Sequence, residues 1–265
     1  MIESKQPILQ VDSLSVKKCD DQTSTTKYII DNISFSIQLS EFFTILGENG
    51  SGKSTLAYSL IKLLKPSAFE ISGEIIIKGQ RILELSESNL NVIRKNEVSY
   101  IFQNPYSSFD PIRRIGNQLF NSKSGSSSEI MSEHFNSLKL NSDNNILKKF
   151  PFQLSGGMLQ RISAVRAVLS NPKLIIADEP TSALDKPISN LFMEYLLTYM
   201  KKSGAAVLFI TQDFDLAVKY SSRIGVLKDG VLHSIHNQNQ FLKSHNDVYL
   251  EKLINSYKYI YRTEK

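Results

Sequence analysis

Gly47 to Ser54 reads GENGSGKS: glycine at the first and sixth positions, then a lysine, then a hydroxyl residue. That spacing fits the phosphate-binding loop G-x-x-x-x-G-K-[ST] at every fixed position. Glycines let the backbone curl until successive N–H groups point inward, which makes a concave anion site. Lys53 brings compact positive charge to the terminal phosphates of a nucleotide, and the Ser54 hydroxyl is a hard oxygen donor for Mg²⁺. The expected nucleotide-binding residues are therefore Gly47, Glu48, Asn49, Gly50, Ser51, Gly52, Lys53, Ser54 and Thr55. A second group lies in Leu174 to Pro180, LIIADEP, where four apolar residues precede two adjacent carboxylates. Asp178 at the carboxyl end of a buried strand suits the metal shell; Glu179 can orient an attacking water and take its proton. Either group alone also reads as an ordinary turn or a solvated loop. Together in one chain they point to phosphoryl transfer.

The elements around these residues are those such a site requires. Phe42 to Leu46 is a continuous apolar run, which predicts a strand covered on both faces and ending at Gly47. From Ser54 the spacing of Leu56, Leu60, Leu63 and Leu64 predicts a helix that stops at Pro66. Upstream, Ile8–Val16 and Tyr28–Ile37 alternate as strands, and Glu74–Ile77 with Arg81–Leu83 form a hairpin about Lys78-Gly79. Residues 104–171 begin turn-rich at Pro105 and Pro111 and continue helical, a predicted inserted subdomain. Leu174–Ala177 and Val207–Thr211 flank the helical run Ile188–Lys202, and this strand–helix–strand order implies a parallel sheet. Arg223–Leu227 and Val231–Ile235 close the pattern with a hairpin at Asp229-Gly230. The expected fold class is α/β: a P-loop NTPase with a mainly parallel core sheet, an N-terminal antiparallel β subdomain and the helical insertion. One domain is expected to span residues 1–265, with a C-terminal segment from about 236 to 265.

The composition agrees. Of 265 residues, 41% are hydrophobic, enough for a core of this size, and 22% are charged, too few for a disordered chain. A lone cysteine, Cys19, excludes an intramolecular disulfide framework and a cysteine-based metal cluster. No apolar stretch approaches a membrane span, and Met1 to Gln10 lacks the basic-then-apolar order of a signal peptide, so work in the cytosol is expected. The net charge of +5 is scattered except near the C-terminus, where Tyr257, Tyr259 and Tyr261 interleave with Lys258 and Arg262. That run reads as a packing segment, and no nucleic-acid partner is expected.

Phe152 to Ile162, FQLSGGMLQRI, adds a third motif. With the other two, in this order, the chain resembles an ATP-binding cassette ATPase over nearly its whole length. The resemblance implies ATP and Mg²⁺ as cofactors, with ATP sandwiched between two cassettes. Ser155, Gly156, Gly157 and Gln160 would then contact the nucleotide held by the partner subunit. Gln103, in YIFQNP, is similar to the family's glutamine that touches the metal and the water. Asp185, in SALD, is similar to the loop at the dimer interface. Met158-Leu159-Gln160-Arg161, FQNPYSSFDP and RRIGNQL resemble the branch that imports peptides, nickel and metallophores. The implied partners are a second related ATPase in a heterodimer, two transmembrane permease subunits and an extracellular substrate-binding protein. The implied location is peripheral, on the cytoplasmic face of the inner membrane.

Two positions depart from the family pattern. The adenine-stacking aromatic is missing from Val16-Lys17-Lys18, which leaves Tyr28 as the candidate. Gln212, in LFITQD, stands where the family carries a histidine facing the γ-phosphate. Glutamine can donate a hydrogen bond there but brings no charge. A fully active ATPase and a largely structural, slowly hydrolysing subunit therefore both remain open.

Overall fold

The computed structural model describes residues 6–19, 27–120, 128–140, 145–243, 251 and 254. Two sheets carry the architecture. The first is antiparallel, with spatial order β2 (Lys27–Ile37), β1 (Leu9–Lys18), β4 (Phe69–Ile77), β5 (Gln80–Arg81). The second has six strands in the order β10 (Val231–Asn237), β9 (Arg223–Lys228), β3 (Phe42–Leu46), β8 (Ala206–Thr211), β7 (Leu174–Asp178), β6 (Val98–Ile101). All neighbours in it are parallel except β10, which pairs antiparallel with β9. The P-loop helix α1 (Lys53–Leu60) follows β3, and α2 (Glu87–Asn96) precedes β6. Helices α3 (Ile115–Leu119), α4 (Ser128–Ser137) and α5 (Gly156–Leu169) lie between β6 and β7 in sequence. The long α6 (Lys186–Ser203) crosses from β7 to β8, and α7 (Phe214–Tyr220) and α8 (Gln238–Phe241) complete the order.

The apolar runs of the central strands are explained by burial on both faces. Successive side chains point to opposite sides of a sheet. Accordingly Phe42, Val207, Phe209, Ile175 and Ala177 enter a core shared with α5, α6 and the helical insertion. Their neighbours Phe43, Leu208, Ile210, Leu174 and Ile176 enter a second core, shared with α1, α2 and the antiparallel sheet. Register then aligns the carboxyl ends: Leu46 pairs with Thr211, Asp178 with Ile210 and Ile101 with Ala177. The loops after β3, β7, β8 and β6 consequently leave the sheet along one edge, where open α/β sheets hold ligands.

Two sequence expectations need correction. Helix α1 ends at Leu60, short of Pro66, and Leu63 is exposed. Lys62 takes a left-handed backbone (φ 53°), and the N–H of Leu63 donates to the Tyr58 carbonyl, the pattern of a Schellman stop. Arg94 of α2 locks that stop: its guanidinium donates to the Ile61 carbonyl at 3.0 and 2.9 Å and to the Lys62 carbonyl at 2.7 Å. The second correction is an addition, because α2 and edge strand β6 had no clear signal in the sequence. The Ser-rich loop 122–128 lies almost wholly outside the described residues, as does the C-terminal run with Tyr257, Tyr259 and Tyr261. Its described remnant, Ile254, is buried beside Phe241 and Leu46.

Arg94→Ala should remove those hydrogen bonds and leave carbonyls at the end of α1 without their donor. The expected cost is about 1–3 kcal/mol, read as a melting temperature lower by several degrees. Arg94→Lys should recover only part of it, since an ammonium cannot reproduce the fork.

Candidate active site

The P-loop leaves β3 at Gly47 and enters α1 at Gly52, and both positions exclude a side chain. A Cβ on Gly47 would lie 2.4 Å from the Leu227 carbonyl oxygen. One on Gly52, at φ 100°, would lie 2.8 Å from the Ile29 carbonyl oxygen. Gly52 is also the N-cap of α1 and supplies no side-chain cap, so first-turn N–H groups remain available to an anion. At the crest, Gly50 has open space where its Cβ would be. The Ser51 hydroxyl, buried inside the loop, has no hydrogen-bond partner among the described residues. An open, glycine-lined cradle with an unmatched buried hydroxyl fits a phosphate chain.

Lys53 is 5% exposed, and its ammonium is held by two carbonyls and a carboxylate. It donates to the carbonyls of Gly47 at 2.9 Å and Glu48 at 2.8 Å, and pairs with Glu179 Oε1 at 3.1 Å. Glu179 is equally buried, and its backbone is left-handed at φ 45°, a region uncommon for a residue with a Cβ. Its N–H donates to the Ile210 carbonyl at 2.8 Å, so β8 holds the turn that aims it. Backbone strain of this kind gathers at functional sites because surrounding structure over-determines it.

Asp178 engages both oxygens. Ser54 Oγ donates to Oδ1 at 3.2 Å and the Tyr100 hydroxyl donates to Oδ2 at 3.1 Å. Burial pushes the Asp178 carboxyl above its ordinary range, opposed by these two hydrogen bonds and by the charge of Lys53. Burial likewise raises the Tyr100 hydroxyl, so it stays protonated and donates. Ser54 and Asp178 are hard oxygen donors on adjacent elements, a set suited to Mg²⁺ rather than to a softer metal. Tyr100 opens the YIFQNP run, where only Gln103 carries an expected role, and nothing in the sequence points its hydroxyl at Asp178.

The structure thus brings Lys53, Ser54, Asp178 and Glu179, taken from two separate motifs, into one site, as the Lys53–Glu179 ion pair beside the Ser54–Asp178 hydrogen bond. Other candidates lie around it. Gln212 is exposed and lines a small cleft of about 210 Å³ with Gly47, Glu48 and Asn49. Gln103 is exposed beyond the end of β6 and makes no hydrogen bond to Asp178 or Glu179. Tyr28 is exposed on β2 with Lys17 Nζ 4.9 Å from its ring centroid, one residue before the Ile29 carbonyl that abuts Gly52. Ser155 caps α5 through Met158 N–H at 3.2 Å, and Gly156 has open space around it. Asp185 is exposed and caps α6 through Ile188 N–H at 2.9 Å. Gln160 faces the interior. It is 1% exposed and donates inward to the Phe102 carbonyl at 3.2 Å, which ties α5 to the segment before Gln103.

The sequence profile described as ABC transporter matches residues 30–182. The chain belongs to the ABC transporter family. Among curated relatives, the metal-staphylopine import system ATP-binding protein CntD of Staphylococcus aureus is 35% identical, over 90% of each chain. The oligopeptide transport ATP-binding protein OppD of Salmonella typhimurium is 33% identical over 84% of this chain and 68% of its own. Among solved structures, an ATP-binding cassette in a dimeric post-hydrolysis state with ADP and Pi superposes with a TM-score of 0.73. It is 28% identical and covers 87% of this chain and 98% of its own. CbiO1 from Clostridium perfringens, part of an ABC transporter complex, gives a TM-score of 0.70 at 26% identity, over 90% and 91% of the two chains. The fold is therefore that of an ABC ATPase, and the chain is an ATPase of this type.

Lys53→Ala removes the charge that faces the cradle and leaves Glu179 buried without its cation. Titration with a fluorescent ATP analogue should show affinity falling about tenfold to a hundredfold, the size of a lost charge-assisted hydrogen bond.

Proposed function

We propose that this chain is the ATP-hydrolysing subunit that energises an importer for a metal–metallophore chelate, nickel or short peptides. The observation that carries the reading is the convergence of Lys53 and Ser54 from the P-loop with Asp178 and Glu179 from the end of β7. In this reading Lys53 turns to the β- and γ-phosphates, and Ser54 and Asp178 hold Mg²⁺. With Mg²⁺ held there, these residues would place positive charge against the charge that develops on the transferred phosphate. Glu179 orients the water and accepts its proton, with Gln103 and Gln212 beside it. Ser155, Gly156 and Gly157 open α5 toward the nucleotide of a second, related ATPase, with Asp185 at that interface. The names of the relatives, metal-staphylopine and oligopeptide systems, support the metallophore and peptide classes, and nickel rests on the sequence resemblance alone.

Among the described residues no helix is long and apolar enough to cross a membrane. Coupling then requires docking of two permease subunits on this peripheral ATPase at the cytoplasmic face of the inner membrane, with cargo delivered by an extracellular binding protein. A groove of about 560 Å³ beside β6, lined by Tyr100, Phe102, Ser107, Arg113 and Arg166, supports that docking for a short permease helix.

Gln212 favours a second reading within the same assembly. A neutral amide in place of a protonated histidine weakens a bond to the γ-phosphate by about 1–2 kcal/mol, on the order of tenfold in rate if felt in the transition state. This chain's P-loop site would then be the slower of two. In the assembled complex, Gln212→His should raise the ATPase rate several-fold, while Glu179→Gln should leave the partner's site turning over. A Gln212→His enzyme no faster than wild type, with all turnover lost in Glu179→Gln, contradicts unequal sites.

A further inference from the structure

Asp178 is the hinge of the metal site, and the group fixing its second oxygen is Tyr100, three residues before Gln103 and outside both the P-loop and LIIADEP. Tyr100 is the third residue of edge strand β6, and its hydroxyl donates to Asp178 Oδ2 at 3.1 Å. The ring cannot easily swing away. It stacks against Tyr58 of α1 with centroids 5.6 Å apart and lies 4.4 Å from the ring of Phe102. Tyr58 and Ser54 stand on the same helix four residues apart, so α1 meets Asp178 twice, directly through Ser54 and indirectly through the stacked rings. A carboxylate on a single side chain can rotate about its terminal torsion, which is broad and roughly two-fold. With Oδ2 held by Tyr100, Oδ1 is left facing the Ser54 hydroxyl.

We propose that Tyr100 is a positioning residue for the metal: it fixes the rotation of Asp178 so that Oδ1 and Ser54 Oγ present one pre-oriented pair of oxygen donors to Mg²⁺. The inference rests on the nucleotide-site reading above and extends it to a residue outside the P-loop and the LIIADEP strand. Tyr100 itself touches neither nucleotide nor ion. Its contribution is to hold a donor that would otherwise have to be ordered when the ion binds.

The test is Tyr100→Phe in the full chain, which keeps the stacked ring and deletes only the hydroxyl. Binding of a fluorescent ATP analogue is titrated in EDTA and then against Mg²⁺. The expected result is unchanged affinity in EDTA, with the Mg²⁺ concentration for half-maximal effect raised about fivefold to tenfold, the scale of one ordinary hydrogen bond, since the loss reaches the ion only through Asp178. An unchanged Mg²⁺ midpoint overturns the inference while leaving the nucleotide site standing. An affinity that falls equally in EDTA and in Mg²⁺ also overturns it, since that marks general damage to the P-loop. Wild-type binding with no response to Mg²⁺ would remove the underlying reading and the inference with it.

Discussion

The buried pair between Lys53 and Glu179, 3.1 Å apart and almost fully shielded from water, is the constraint around which the site is arranged. Two charges in such a place are tolerable only if their remaining hydrogen-bonding capacity is met. The P-loop does this for the lysine by turning the carbonyls of Gly47 and Glu48 onto its ammonium. Strand β8 fixes the other partner's position: the backbone N–H of Glu179 donates to the Ile210 carbonyl and holds the left-handed turn from which the carboxylate projects. The glycines at 47 and 52 bring backbone against backbone, and the pair then joins the loop after β3 to the end of β7.

The sheet makes that meeting possible. Its central strands alternate residues between two cores, so small shifts in register would move large side chains such as Phe42 and Phe43 into the wrong layer. Register in turn sets which residues emerge at the carboxyl edge. Lys53, Ser54, Asp178 and Glu179 therefore converge because of packing far below them. Tyr100 and Arg94 extend the arrangement outward, one through the stack onto Tyr58 and the other through the carbonyls that end α1.

Much of this was legible in the sequence wherever the determinants are contiguous. The P-loop, LIIADEP and LSGG are short runs whose chemistry depends on neighbours one to seven residues away, and Phe42–Leu46 reads as a doubly buried strand from its apolar run alone. Features set by distant partners were not legible. Strand β6 has only four residues, with Ser99 and Tyr100 among them, and it exists because β7 pairs with it. The early end of α1 depends on a lysine in a left-handed position that usually favours glycine, held by an arginine from another helix. Gln160 sits inside the LSGG stretch, yet its inward bond to Phe102 follows from how α5 packs. Motif logic predicts what a residue type can do; tertiary packing decides which way its side chain faces.

The burial of this ion pair predicts that the two halves of the site are energetically joined through Lys53 and Glu179 before any nucleotide arrives. A double-mutant cycle with Lys53→Met, Glu179→Gln and the double variant, each unfolded by urea without nucleotide, measures that coupling directly. Removing Lys53 alone should be strongly destabilising, about 3–5 kcal/mol for a stranded buried charge, and the double variant should lose clearly less than the sum of the singles. Losses that simply add would contradict the claim and leave Lys53 and Glu179 as independent residues that happen to lie close together.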